Sequence, residues 1–144
     1  MARTLSRDEI YAFLQEKPRT AHLATVRADG RPHVAAIWIV VDGDDIVFTT
    51  WETSVKGRNL ARTGFAALSV DDEEIPFAYV ALEGTVTIDS DPVASRHWAT
   101  ALAIRYMGEE LGVPLGGRNG VPGEVVCRLH PTHMSGMAEV TQRD

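Results

Sequence analysis

The sequence predicts a mainly β domain with helices: a closed or partly open barrel of six to seven mostly antiparallel strands, with helices at its ends. Three observations point there. Short apolar runs recur along the chain at strand length. Tight-turn signals, Asp29-Gly30 and Asp42-Gly43, join the first of them into a meander, which makes sequence neighbours antiparallel. Helices do not alternate with strands one for one, so a doubly wound βαβ fold is excluded.

Taken in order, Ser6 and Glu9 form a capping box that opens a helix. Ile10, Phe13 and Leu14 share its apolar face, and Lys17-Pro18 ends it. Strands are expected over Thr20–Arg27, Pro32–Val41 and Ile46–Trp51, separated by the two turns. The second is apolar on both faces from Val34 onward, as a strand in a barrel wall or under a partner would be. A short helix with Lys56, Arg58 and Arg62 follows, stopped by Gly64. Phe65–Val70 is a fourth strand, Asp71–Glu74 a solvated acidic loop, and Phe77–Ile88 a long strand bent or bulged at Gly84. Asp89-Ser90-Asp91-Pro92 caps a third helix, about Val93 to Met107. Gly108–Gly123, rich in Gly and Pro, reads as a long functional or mobile loop. Glu124–His130 is a strand broken by Pro131-Thr132, and His133–Val140 a last short one.

A chain of 144 residues is one domain, spanning residues 1–144, and small enough that a dimer interface would help its stability. A net charge of −6 argues against general nucleic-acid affinity. The first residues lack the apolar run of a signal peptide, and no stretch approaches a membrane span of ~18 apolar residues. The expected location is cytoplasmic, with neither nucleic acid nor membrane as partner.

Most protein-borne chemistries are absent from the pattern. The five histidines show no HExxH spacing, so no metal site is expected. Cys127, the single cysteine, lies in an apolar strand and reads as a small buried hydrophobe. No Gly-x-Ser-x-Gly elbow, Walker sequence or Gly-x-Gly-x-x-Gly turn occurs. An enzyme of this sequence would take its chemistry from a cofactor, and its own catalytic residues stay unassigned.

One stretch stands out. From Val47 to Val70 a strand end, the hydroxyls of Thr49, Thr50, Thr53 and Ser54, a helix start and three cations meet. That combination suits an anion, most often a phosphate. Arg58 and Arg62 also admit a plainer reading as a solvated helix face.

Three runs, in this order and spacing, resemble the pyridoxamine-phosphate-oxidase-like flavin-binding family. They are HLATVRADGRPHVAAIW (His22–Trp38), FTTWETSVKGRNLARTGFAALSV (Phe48–Val70) and VALEGTVTI (Val80–Ile88). The resemblance implies a split β-barrel homodimer, of the flavin-reductase type, with two equivalent cofactor sites at the subunit interface. Within the family the chain is most similar to the actinobacterial branch that uses the deazaflavin coenzyme F420, on the strength of the K-x-R-N run Lys56–Asn59 and the short chain. It lacks the C-terminal arginine motif of the true oxidases.

On this reading Lys56 and Asn59, three apart on one helical face, hold the cofactor phosphate, helped by Thr49 and Thr50. Arg58 and Arg62 on an adjoining face would meet an acidic tail. Ala35, Ala36, Ile37 and Trp38 would form a flat slot for the ring, flanked by Trp38 and Trp51, with Pro32 and His33 at its mouth. Phe77 or Tyr79 of a second copy would close over it. The implied activity is F420-dependent reduction of an enone, quinone or tetrapyrrole. A flavin mononucleotide (FMN) enzyme, and a non-catalytic cofactor-binding protein, remain open alternatives.

Overall fold

A computed structural model describes residues 1–142; residues 143 and 144, the last two of the expected domain, lie outside the described residues. The elements run β1 (Arg3–Thr4), α1 (Arg7–Glu16), β2 (Ala21–Val26), β3 (Pro32–Ile37), β4 (Val40–Asp42), β5 (Asp45–Trp51), α2 (Val55–Thr63) and β6 (Phe65–Asp72). β7 (Ala78–Asp89), α3 (Pro92–Met107), α4 (Glu109–Asn119) and β8 (Glu124–Ala138) complete the chain. All strand pairs are antiparallel, in the order β3-β2-β6-β7-β8-β5-β4, with β1 added along β8.

That order explains the barrel. β3 and β4 stand at opposite ends of the path, yet only Trp38 and Ile39 separate them in sequence. Three residue steps reach at most about 11 Å. The sheet therefore curls until its ends meet at this crossover, while the hydrogen-bond ladder itself stays open there. Helices α1 and α2 supply Ile10, Leu14 and Leu60 to the buried core, alongside Leu23, Phe48, Leu68, Val80, Leu82 and Leu129. A second apolar layer lies outside the wall, where Ala99, Leu102 and Ala103 of α3 are buried together with Val47 and Val126.

Local signals at helix ends act as expected. Ser6 Oγ accepts from the Glu9 N–H at 3.2 Å, and Ser54 Oγ from the Gly57 N–H at 3.0 Å. Gly64 ends α2 in the left-handed region at φ 63°, its N–H donating to the Leu60 carbonyl at 2.8 Å. Gly84 does mark a bulge: the β7–β8 register slips between Glu83 and Gly84, leaving Thr132 as the extra residue. A Cβ at Gly84 would run into the His130 carbonyl oxygen.

The structure corrects four expectations. The strand expected over Pro32–Val41 is two strands, and β5 pairs with β4 and β8 rather than with β3. The first three strands are thus not a simple meander. Pro131-Thr132 does not break β8, because the bulge absorbs both residues. Asp71-Asp72 belongs to β6, and Asp72 is held by Arg19 Nη2 at 3.0 Å rather than solvated.

The fourth correction shapes the site. Gly108–Gly123 is not a loop but contains the helix α4. Its glycines Gly112 and Gly116, with Gly120 just past its end, recur every four residues and lie against Ile104, Thr100 and Arg96 of α3. A Cβ at Gly112 would stand 2.5 Å from Ile104 N. The Gly content that signals a loop is here a stripe permitting close helix contact.

Candidate functional site

A cleft of about 340 Å³ opens where the crossover, the end of β5, the start of α2 and helices α3 and α4 converge. Its polar groups are Lys56, Thr49, Thr20, Asn119 and Glu124; Ala36, Ile37 and Trp38 form one wall, and the buried side of α3 another. The size sits at the low end for ligand sites.

Tyr106, in the last turn of α3, fixes the geometry of that wall. Its ring stacks on Trp38 at 4.8 Å between centroids, 9° from parallel. Its hydroxyl accepts from the Ile39 N–H at 3.1 Å and donates to the Arg19 carbonyl at 2.6 Å. Burial pushes this phenol up, so it stays a neutral donor. Arg105 beside it donates to the Leu14 and Lys17 carbonyls at 2.8 and 3.2 Å, satisfying the C-terminal end of α1. α3 is thereby pinned to the crossover.

Of the expected site residues, Lys56, Thr49, Ala36, Ile37 and Trp38 come together in this cleft. Others do not, for reasons of geometry. Successive strand residues face opposite sides. Ala35 pairs with Leu23 on the barrel interior, one side away from Ala36. Thr50 likewise turns inward, 3% exposed, with its hydroxyl 3.1 Å from Ser54 Oγ.

Asn59 is the main departure. It is 3% exposed; its amide donates to Thr25 Oγ1 at 3.0 Å, and its carbonyl accepts from Arg62 Nη2 at 3.1 Å. Arg62 also donates to the Val26 carbonyl. Asn59 and Arg62 thus tie α2 to β2, and Lys56 alone looks into the cleft. Arg58 is exposed on α2 and has no ion pair among the described residues. Trp51 covers Gly123, whose φ of +102° and lack of a Cβ permit that contact. His33 pairs with Thr25 on the inner side, so it does not stand at the cleft mouth. Neither Phe77 nor Tyr79 lines the cleft of its own chain.

Sequence reasoning missed Glu124 and gave Asn119 no role. Glu124 opens an apolar strand directly after Gly123, which is a weak signal. Burial pushes its carboxyl up, against the opposing pull of the Thr49 hydroxyl and the Lys56 charge. Cys127, in the core beneath, is pushed up to about 12 mainly by burial, so it is no nucleophile. Among the described residues no cluster of three or more His, Cys, Asp or Glu is placed to hold a metal ion. Nor is any helix among them long and apolar enough to cross a membrane. The polar set, one ammonium, two hydroxyls and an amide with the Glu124 carboxyl among them, beside an apolar wall, fits a ligand with an anionic end and a flat ring.

A family model for pyridoxamine 5'-phosphate oxidase matches residues 6–138. An F420H(2)-dependent biliverdin reductase of Mycobacterium tuberculosis is 36% identical over 101 residues, covering 69% of this chain and 71% of that protein. A solved structure titled an F420 reductase aligns with a TM-score of 0.69 and 31% identity, covering 85% of this chain and 94% of that one. A conserved hypothetical protein from Mycobacterium tuberculosis, Rv2991, aligns with a TM-score of 0.80 and 25% identity, over 95% and 87% of the two chains. The chain spans only 40% and 47% of the two pyridoxine/pyridoxamine 5'-phosphate oxidases that it matches.

Proposed function

The chain belongs to the pyridoxamine 5'-phosphate oxidase family, and from that premise we propose that it is an F420H2-dependent oxidoreductase that reduces a conjugated, electron-poor acceptor. The observation that carries this reading is the cleft in which Lys56 and Thr49 face the Ala36–Trp38 wall. The F420-linked names of one relative and one solved structure favour the deazaflavin over FMN.

A reduced deazaflavin held there would supply the hydride for reduction of an enone, quinone or tetrapyrrole carbon, with a solvent proton completing the two-electron reduction. The chain's part is binding and orientation. Lys56 offers a charge-assisted hydrogen bond to the phosphate, and Asn119 offers a neutral donor. The Ala36–Trp38 wall seats the ring, held in place by Tyr106. Ala99, Leu102 and Ala103 keep water from its far side.

The reading includes a homodimer in the cytoplasm. The outer side of β3-β2-β6-β7 exposes Val34, Val26, Phe65 and Tyr79 around small residues such as Ala67 and Ala81. Such a surface favours burial by a second copy. A cleft this small holds part of a deazaflavin, and the partner would cover the rest, with Phe77 or Tyr79 as its contribution.

The test is fluorescence titration of the purified protein with F420 and with FMN, followed by oxidation of F420H2 against an acceptor panel. Tighter F420 binding with turnover supports the reading. Preference for FMN favours an FMN oxidoreductase on the same fold, and tight F420 binding without turnover favours a carrier.

A further inference from the structure

One charged group in the cleft has no part in that scheme. Glu124 lies on the same wall as Thr49 and in the same cavity as Lys56. The ladder fixes this: Glu124 stands opposite Trp51, and Val126 opposite Thr49, so these residues share the outward side of β5–β8. The Ser95 hydroxyl donates to the Glu124 carbonyl at 2.6 Å, tying the start of β8 to α3. Among the described residues neither the Glu124 carboxylate nor the Lys56 ammonium has an ion-pair partner within 4.0 Å. The two opposite charges therefore face one small cavity without neutralising each other by contact.

We propose that Glu124 is a specificity determinant: lining the same cleft as Lys56, it restricts the cleft to a singly charged phosphate diester and disfavours a doubly charged phosphate monoester. The proposal rests on the reading that this cleft takes a flavin or deazaflavin phosphate. F420 carries its phosphate as a diester, with one charge. FMN carries a monoester, with a second pKa of about 6 and so two charges above it.

The physics is a difference of powers. Attraction to the site rises in proportion to ligand charge, whereas the cost of removing the charge from water rises as its square. With Lys56 alone, the second phosphate charge would gain attraction to offset that cost. With Glu124 present, its charge opposes that of Lys56, and the second phosphate charge gains little attraction to set against its desolvation cost. A monoanion suffers far less. Glu124 thus sacrifices some total affinity in return for discrimination, a repulsive element of the kind specificity requires.

The test compares Glu124→Gln with the wild type in titrations with FMN, F420 and riboflavin at pH 8. Removing one carboxylate charge should tighten binding about fivefold per ligand charge, for charges about 4 Å apart in a water-like dielectric. F420 should therefore gain about fivefold at its phosphate and FMN about 25-fold, while riboflavin, which has no phosphate, should not move. Glu124→Asp, which keeps the charge, should retain the wild-type order. Should Glu124→Gln fail to fold, Glu124→Ala removes the same charge and carries the same expectation. An unchanged FMN-to-F420 ratio, or an equal gain for riboflavin, overturns the proposal while leaving the cofactor reading intact. Failure of the wild type to bind any of the three overturns the cofactor reading and this proposal with it.

Discussion

Lys56 and Asn59 lie one helical turn apart, one lining the cleft and the other buried against Thr25, and two alanine variants separate the consequences. Asn59→Ala removes the donor to Thr25 Oγ1 and the acceptor for Arg62. Thr25 is itself only 2% exposed, so its hydroxyl loses its partner without gaining water. Leaving such a group unsatisfied costs about 1–3 kcal/mol. For a domain of this size that lowers the melting temperature by roughly 3–10 °C. Binding should fall only as far as α2 shifts. On the proposed reading Lys56→Ala removes a charge-assisted hydrogen bond to the phosphate, worth about 1.5–3 kcal/mol, or about 10- to 150-fold in Kd. Its melting temperature should stay within about 2 °C of wild type, because Lys56 makes no hydrogen bond or ion pair among the described residues. Differential scanning fluorimetry and cofactor titration on both variants decide the matter. The reasoning fails if Asn59→Ala melts normally but loses the cofactor, or if Lys56→Ala binds F420 and FMN with full affinity.

Three further outcomes are expected. Tyr106→Phe keeps the stack on Trp38 but strips the Ile39 N–H and Arg19 carbonyl of their partner; urea denaturation should show a loss of about 1–3 kcal/mol. Gly112→Ala would gain about 1 kcal/mol in helix propensity, but overpacking against Ile104 costs about 1–3 kcal/mol. Its melting temperature should therefore fall, and a rise would refute the close α3–α4 contact. The folded Cys127 thiol holds its proton up to about 12, whereas in the unfolded chain it ionises near an ordinary thiol value of about 8.5. Its contribution to stability is thus complete below about 8.5 and is lost as pH rises from there toward 12. Urea midpoints should drop more steeply above pH 8.5 in wild type than in Cys127→Ala.

The sequence by itself determined what is written within a few residues. Ser6 with Glu9, Ser54 and Gly64 delimit their helices because caps act on the next turn only. Gly84 marked the bulge, and the ordered runs His22–Trp38, Phe48–Val70 and Val80–Ile88 marked the family. Lys56, Thr49 and the Ala36–Trp38 run, expected together at a site, do line one cleft, because they sit on those same local elements. Which way each side chain faces was decided by tertiary packing. Asn59 turns from the cleft because Thr25 of β2 and Arg62 claim it, and Ala35 and Thr50 because their strands are packed inner side to core. The Gly-rich stretch read as loop is a helix only because Arg96, Thr100 and Ile104 lie along its glycine stripe. Without that neighbour, glycine's entropic cost disfavours the helix. Glu124 enters the cleft only because β8 pairs with β5 across 73 residues of sequence, counted from Trp51 to its partner. Contacts at such separation leave no local pattern to read, and they are what place the acid beside the lysine.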